Sequence, residues 1–164
     1  MPKKLGIAVL VTVAVAAVGA VATFTLTSAA ATGHHERFSV YEAPNSFSKD
    51  IDADNSGGSS AGDYTVGHAV DRSHGKVVGS DRNSCLLVTD PPAFKAECSG
   101  TFTFPGKGSI SLMGPITFTQ HGPKDNPAKL AIIGGTGKYA NATGTAYAKF
   151  HQGNATTFTF SVNF

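Results

Sequence analysis

Few residues in this chain are of a type and spacing that could do chemistry. Glu42 follows Tyr41 on a short alternating segment. A strand there could turn the carboxyl inward, where loss of water would raise its pKa; for a single Glu, an exposed strand face is the commoner place. Cys85 and Cys98 stand symmetrically about Pro91 and Pro92. A hairpin turning at those prolines would set the two thiols opposite each other, close enough to form a disulfide outside the cytosol. The run Gly134-Gly135-Thr136-Gly137-Lys138 has glycines and a lysine, but Tyr139 stands where a phosphate-binding loop needs Ser or Thr. A turn requiring positive φ accounts for these glycines better. Asp63 and Asp71 share a parity on one candidate strand, as a pair of working carboxylates would, although such pairs usually face solvent.

The six histidines, His34, His35, His68, His74, His121 and His151, have no metal-ligand spacing, and two cysteines are too few for a zinc site. No metal and no cofactor is therefore expected. A chain cut after Ala31 would begin Thr32-Gly33-His34, an amine, two amides and an imidazole able to surround Cu(II) in a plane. Asn141-Ala142-Thr143 and Asn154-Ala155-Thr156 fit the glycosylation acceptor pattern, which matters only in a eukaryotic secretory route.

Residues 1–31 read as a secretory signal peptide. Lys3 and Lys4 precede an uncharged stretch from Leu5 to Leu26, and Ala29, Ala30 and Ala31 supply the small side chains of a cleavage site. The stretch is long enough to raise the alternative of a retained anchor, but it is built from Ala, Val, Gly and Thr more than from Leu and Phe. A secreted domain over residues 32–164, with no stable membrane insertion after cleavage, is the expectation. Without Lys3 and Lys4 the remaining eleven Lys and Arg balance eleven Asp and Glu. A chain with no net charge and no basic run has no electrostatic basis for binding nucleic acid.

Downstream of Phe38 the apolar pattern has period two and is broken often by Gly, Pro, Asn and Asp. Eight or nine strands are predicted, among them 37–42, 63–70, 76–80, 84–89, 101–104, 128–133, 143–150 and 157–164. Ile110, Leu112, Ile116 and Phe118 share a face of a strand pair bent at Gly114-Pro115. Residues 50–62 hold nothing to bury and are predicted to be a flexible loop. Closure into a barrel would remove the sheet edges; a sandwich has the same periodicity.

Four motifs in order bear a resemblance: Val40-Tyr41-Glu42, Ser84-Cys85-Leu86-Leu87-Val88, the run from Gly108 to Pro115, and Leu130-Ala131-Ile132-Ile133-Gly134-Gly135-Thr136-Gly137-Lys138-Tyr139 leading into Ala140-Asn141-Ala142-Thr143-Gly144. They resemble the allene oxide cyclase and dirigent group. The resemblance implies an all-β fold, an eight-stranded antiparallel calycin-like barrel behind the signal helix. It also implies an apolar cavity that holds a reactive molecule in one shape, with assembly into dimers or trimers. In allene oxide cyclases a Glu on the first strand and a Cys in the cavity lie near the reacting chain, and Glu42 and Cys85 occupy the matching motifs. Pro44 stands where that family has Asn.

Two functions follow. In the first, Phe102, Phe104, Ile110, Leu112, Phe158 and Phe160 line a cavity for a small apolar molecule, and Glu42, with Tyr41, stands near the centre of an isomerisation or cyclisation. In the second, the same side chains fill a solid core or a subunit interface, and the barrel is a structural or interaction protein of the envelope or extracellular space.

Overall fold

The computed structural model describes residues 33–43, 47–90, 94–119 and 122–164. The expected signal peptide and cleavage site, Thr32, Pro44, the expected turn at Pro91-Pro92 and His121 lie outside these. Among the described residues no helix is long and apolar enough to cross a membrane.

Among the described residues ten strands follow one another: β1 (His35–Glu42), β2 (Phe47–Ile51), β3 (Tyr64–Ser73), β4 (Lys76–Leu87), β5 (Phe94–Phe104), β6 (Gly108–Thr119), β7 (Gly122–Pro123), β8 (Ala128–Gly135), β9 (Thr143–Phe150) and β10 (Thr156–Asn163). Eight of them close an antiparallel barrel in the order β1, β10, β9, β8, β6, β5, β4, β3 and back to β1. The barrel, and not the sandwich, is thus the solution to the edge problem. The closing seam is short. Tyr41 pairs with Arg72 and Glu42 with Asp71, and along the rest of that edge β2 takes over, Phe47 to Ile51 lying against His68 to Tyr64.

The strand predictions need three corrections. β2 extends to Ile51, into a segment expected to be loop. Residues 76–80 and 84–89, read as two strands, are one strand, β4, because Asp81, Arg82 and Asn83 pair on both edges despite their polarity. β6 runs unbroken through Gly114-Pro115 against β5; what ends there is its pairing with β8, whose last partner on β6 is Met113.

Alternation along the strands sends one set of side chains inward. Phe104, Ile110, Tyr139, Phe160 and Val162 fill one end of the barrel. Phe38 stacks on Phe160 at 4.9 Å between ring centres and meets Phe104 edge-on at 5.6 Å. Tyr139 is delivered by the one helical turn after β8, Gly137–Tyr139, and packs on Phe104 at 5.7 Å and Phe164 at 5.5 Å. Gly137 makes that turn at φ +59°, where a side chain would also strike the Lys107 carbonyl. The Gly-Gly-Thr-Gly run is therefore a structural turn that closes this end.

Cys85 and Cys98 are direct partners across β4 and β5 and are joined as a disulfide, with Cα atoms 4.0 Å apart.

Candidate functional site

The opposite half of the barrel carries acid. Glu42 ends β1 and faces inward between its register partners, Thr156 on β10 and Asp71 on β3. Asp71 shares its inward face with Ala69, whose partner on β4 is Asp81, so Asp81 sits diagonally from Asp71. Three carboxyls from three neighbouring strands thus point into one interior. Glu42 is 4 % exposed, Asp71 0 % and Asp81 2 %.

Their protonation follows from that burial. Glu42 is pushed up to about 8, first by loss of water, then by the negative charges of Asp81 and Asp71, against a hydrogen bond with Thr156. Asp71 is pushed up to about 7 by burial and by the charge and hydrogen bond of Asp81. Burial also raises Asp81, while Asn83 and then His68 favour its ionised form; the Asn83 amide donates to its Oδ1 at 2.9 Å. As acceptors, both oxygens of Asp71 and Oδ2 of Asp81 have no donor from the protein. Buried polar atoms are rarely left so. A proton on Asp71 given to the Asp81 carboxylate supplies the missing bond; it accounts for part of the rise at Asp71 and works at Asp81 against the larger effect of burial. At neutral pH the cluster therefore holds a carboxylic acid, Glu42, beside a pair that shares a proton, the arrangement from which general acid and base roles are made.

Glu42 reaches a cavity of about 140 Å³ walled by Phe102, Leu112, Phe158 and other apolar side chains, with Asn83, Ser99 and Thr156 as polar members. Phe150 and Thr156 line it and also line a wide open cleft of about 1180 Å³, so the cavity and the cleft are neighbours.

The expected site residues divide. Glu42, Phe102, Leu112 and Phe158 come together around the cavity. Phe104, Ile110 and Phe160 belong to the solid aromatic end. Tyr41 does not join Glu42: successive strand residues face opposite sides, and Tyr41 is 42 % exposed with its ring 6.4 Å from that of His151 on the outer surface. Cys85 is committed to the disulfide. Asp63 and Asp71 do not form a pair, since Asp71 is in the barrel and Asp63 holds the loop after β2. The residues that sequence reading missed are Asp81, Asn83 and Thr156. The signal for Asp71 and Asp81 was parity: each shares a strand face with small residues, Gly67 and Ala69 or Gly79, while His68, Arg72 and Arg82 take the other face.

Residues 52–63 are ordered by their own carboxylates, contrary to the expectation of a flexible loop. Asp52 accepts the Ser56 and Gly57 amides at 3.2 and 2.9 Å, and Asp63 accepts those of Ala53 and Ser60, each at 2.8 Å. These last two bonds hold Asp63 below the usual carboxylate range. Carboxylate oxygens of Asp52, Asp54 and Asp63 lie within 4.8 Å of one another. The spacing Asp52, Asp54, Ser56, Ser60 and Asp63, with Gly57 sixth, follows the ligand positions of a twelve-residue calcium loop. Among the described residues these have the donor set for a hard cation.

No known protein family and no curated protein matches the sequence significantly. Solved structures do match in shape. Pyocyanin demethylase superposes with a TM-score of 0.64 at 22 % identity, over 77 % of this chain and 99 % of that one. The pterocarpan synthase dirigent protein PsPTS1 gives 0.59 at 16 % identity, over 81 % and 94 % of the two chains. A second pterocarpan synthase dirigent protein, GePTS1, gives 0.58 at 14 %, over 80 % and 89 %. The chain shares the dirigent-type barrel fold with these proteins.

Proposed function

We propose that this protein is an exported barrel that takes a small, largely apolar molecule into the cavity beside Glu42 and transfers a proton on it, controlling the course of an isomerisation or cyclisation. The observation that carries this reading is the meeting of an apolar cavity with a buried acidic cluster in one half of a barrel whose other half is solidly packed. A protein that needed only a solid core would gain nothing from three buried carboxyls, each costly to hold without partners. Glu42 is the proton-transfer group, an acid while protonated and a base once ionised, and the proton shared by Asp71 and Asp81 behind it can move to the Glu42 carboxylate when the first has left. The walls fix the ligand's shape, so that binding orients as much as it holds. Neighbours named as a demethylase and as synthases show that one barrel can carry different chemistries, and a fold alone does not choose among them. Export is supported by the leader sequence and by the Cys85–Cys98 disulfide. Tyr64, Leu86 and Met113, exposed around one outer depression, offer apolar surface for the dimer or trimer that belongs to the same proposal.

The test is uptake of the neutral fluorescent probe N-phenyl-1-naphthylamine. Saturable enhancement with one site per barrel supports a binding function. No saturable uptake, in a protein shown to be folded by circular dichroism, returns the barrel to a structural role.

A further inference from the structure

Among the described residues the acidic half of the barrel buries no cation. The charged side chains buried in the described structure are Glu42, Asp63, Asp71 and Asp81, all acids. Arg72 and Arg82, the chain neighbours of Asp71 and Asp81, alternate to the outer surface, where Arg72 donates to the Gly75 carbonyl at 3.3 Å. From the neighbouring strands the cluster is faced by Thr156 on β10 and Asn83 on β4, both neutral; His68 on β3, itself exposed, acts through its charge to favour the ionised form of Asp81. Asp71 is fully buried, and neither of its oxygens receives a donor. The cavity in front of Glu42 is walled by the rings of Phe102, Phe150 and Phe158.

We infer that the molecule this cavity takes is an organic cation whose positive charge lies at the end that reaches Glu42. The inference rests on the reading of the barrel as a binding site. Glu42 in the cavity wall, with Asp71 and Asp81 behind it and no buried cation among the described residues, makes that end of the cavity attractive to a cation and repellent to a carboxylate. Aromatic faces hold a cation better than an aliphatic wall does, the more so away from water. An apolar body with a cationic end would satisfy the ring-lined walls and the acidic end of the cavity together. Cation binding also draws Glu42 and the Asp71–Asp81 pair toward their ionised forms and releases protons, so affinity rises with pH. Between pH 6 and pH 8 the gain is up to tenfold per unit for each proton released.

Three probes of like shape and different charge test this on the unmodified protein: 1-methylquinolinium, 1-methylnaphthalene and 1-naphthoate, titrated at pH 6 and pH 8. The expected result is at least tenfold tighter binding of the quinolinium than of the neutral hydrocarbon at pH 8, a smaller preference at pH 6, and the weakest binding for the naphthoate. In Glu42→Gln the preference for the cation is expected to shrink while the hydrocarbon still binds. Equal or tighter binding of the neutral hydrocarbon overturns the cationic ligand and leaves the binding barrel standing. Failure of all three to bind overturns both.

Discussion

Glu42 on β1 and Asp71 on β3 are direct cross-strand partners in the two-pair seam that closes the barrel. Two carboxyls opposite each other, both out of contact with water, are stable there only while at least one is protonated. The folded state holds protons that the unfolded chain has given up, between pH 4.5 and about 8 for Glu42 and between 3.8 and about 7 for Asp71. In that window the unfolded chain binds fewer protons, so stability falls as pH rises. The thermal midpoint is expected to drop by several degrees from pH 5 to pH 8.5, and Glu42→Gln to flatten the decline and raise the midpoint at pH 8.5. Calorimetry across this range checks it. A midpoint that holds level or climbs would contradict the buried pair.

The disulfide acts on the unfolded chain. Cys85 and Cys98, 13 residues apart, close a loop whose constraint contributes about 3 kcal/mol in the chain-entropy account. The double variant Cys85→Ser/Cys98→Ser is expected to lose about that much in urea unfolding, and added reductant to move the wild type toward it. Identical urea midpoints for the two proteins would show that the link adds nothing.

The two ends of the barrel are expected to respond differently to loss of an aromatic ring. Phe160 is fully buried, stacked on Phe38 and edge-on to Phe102 at 5.1 Å. Phe160→Ala should cost about 3–5 kcal/mol, the usual range for a large side chain removed from a close-packed core. Phe158 already borders open volume, so fewer contacts are forfeited and Phe158→Ala should cost clearly less. Denaturant unfolding of both variants gives the comparison. Equal losses would mean that the cavity end is packed as tightly as the other.

Much of this architecture could be read before any coordinates because its signals are local. Alternation in Thr157 to Phe164 fixes a strand and its inward face, and the symmetric placing of Cys85 and Cys98 about two prolines fixes a register. The acidic cluster was harder to see, because its members lie far apart in sequence and meet only when β1 closes on β3. Asp81-Arg82-Asn83 looks like a polar break between two strands when taken alone. Only the pairing of that segment on both edges makes Asp81 an interior residue. The expectation of a flexible loop over 50–62 rests on its lack of apolar residues, a rule that ignores what carboxylates do for backbone amides. Tyr41 and Glu42 could not both face the cavity once they lay on one regular strand, and the resemblance bore on Glu42 alone.

Filling the cavity separates ligand binding from stability. Ala148 on β9 is fully buried, lines the cavity, and lies directly across from Phe158 on β10. Because Ala148 borders the cavity, the added carbons of Ala148→Leu are expected to enter it, and the overpacking cost should stay near the lower end of its usual range, about 1 kcal/mol. Space for a ligand beside Glu42 is lost at the same time. Uptake of N-phenyl-1-naphthylamine is expected to weaken at least tenfold while the thermal midpoint moves by only a few degrees. Unchanged uptake would place the probe elsewhere, in the open cleft, and would detach Glu42 from the binding site. A collapse of the midpoint with uptake intact would show that the space beside Ala148 is not free.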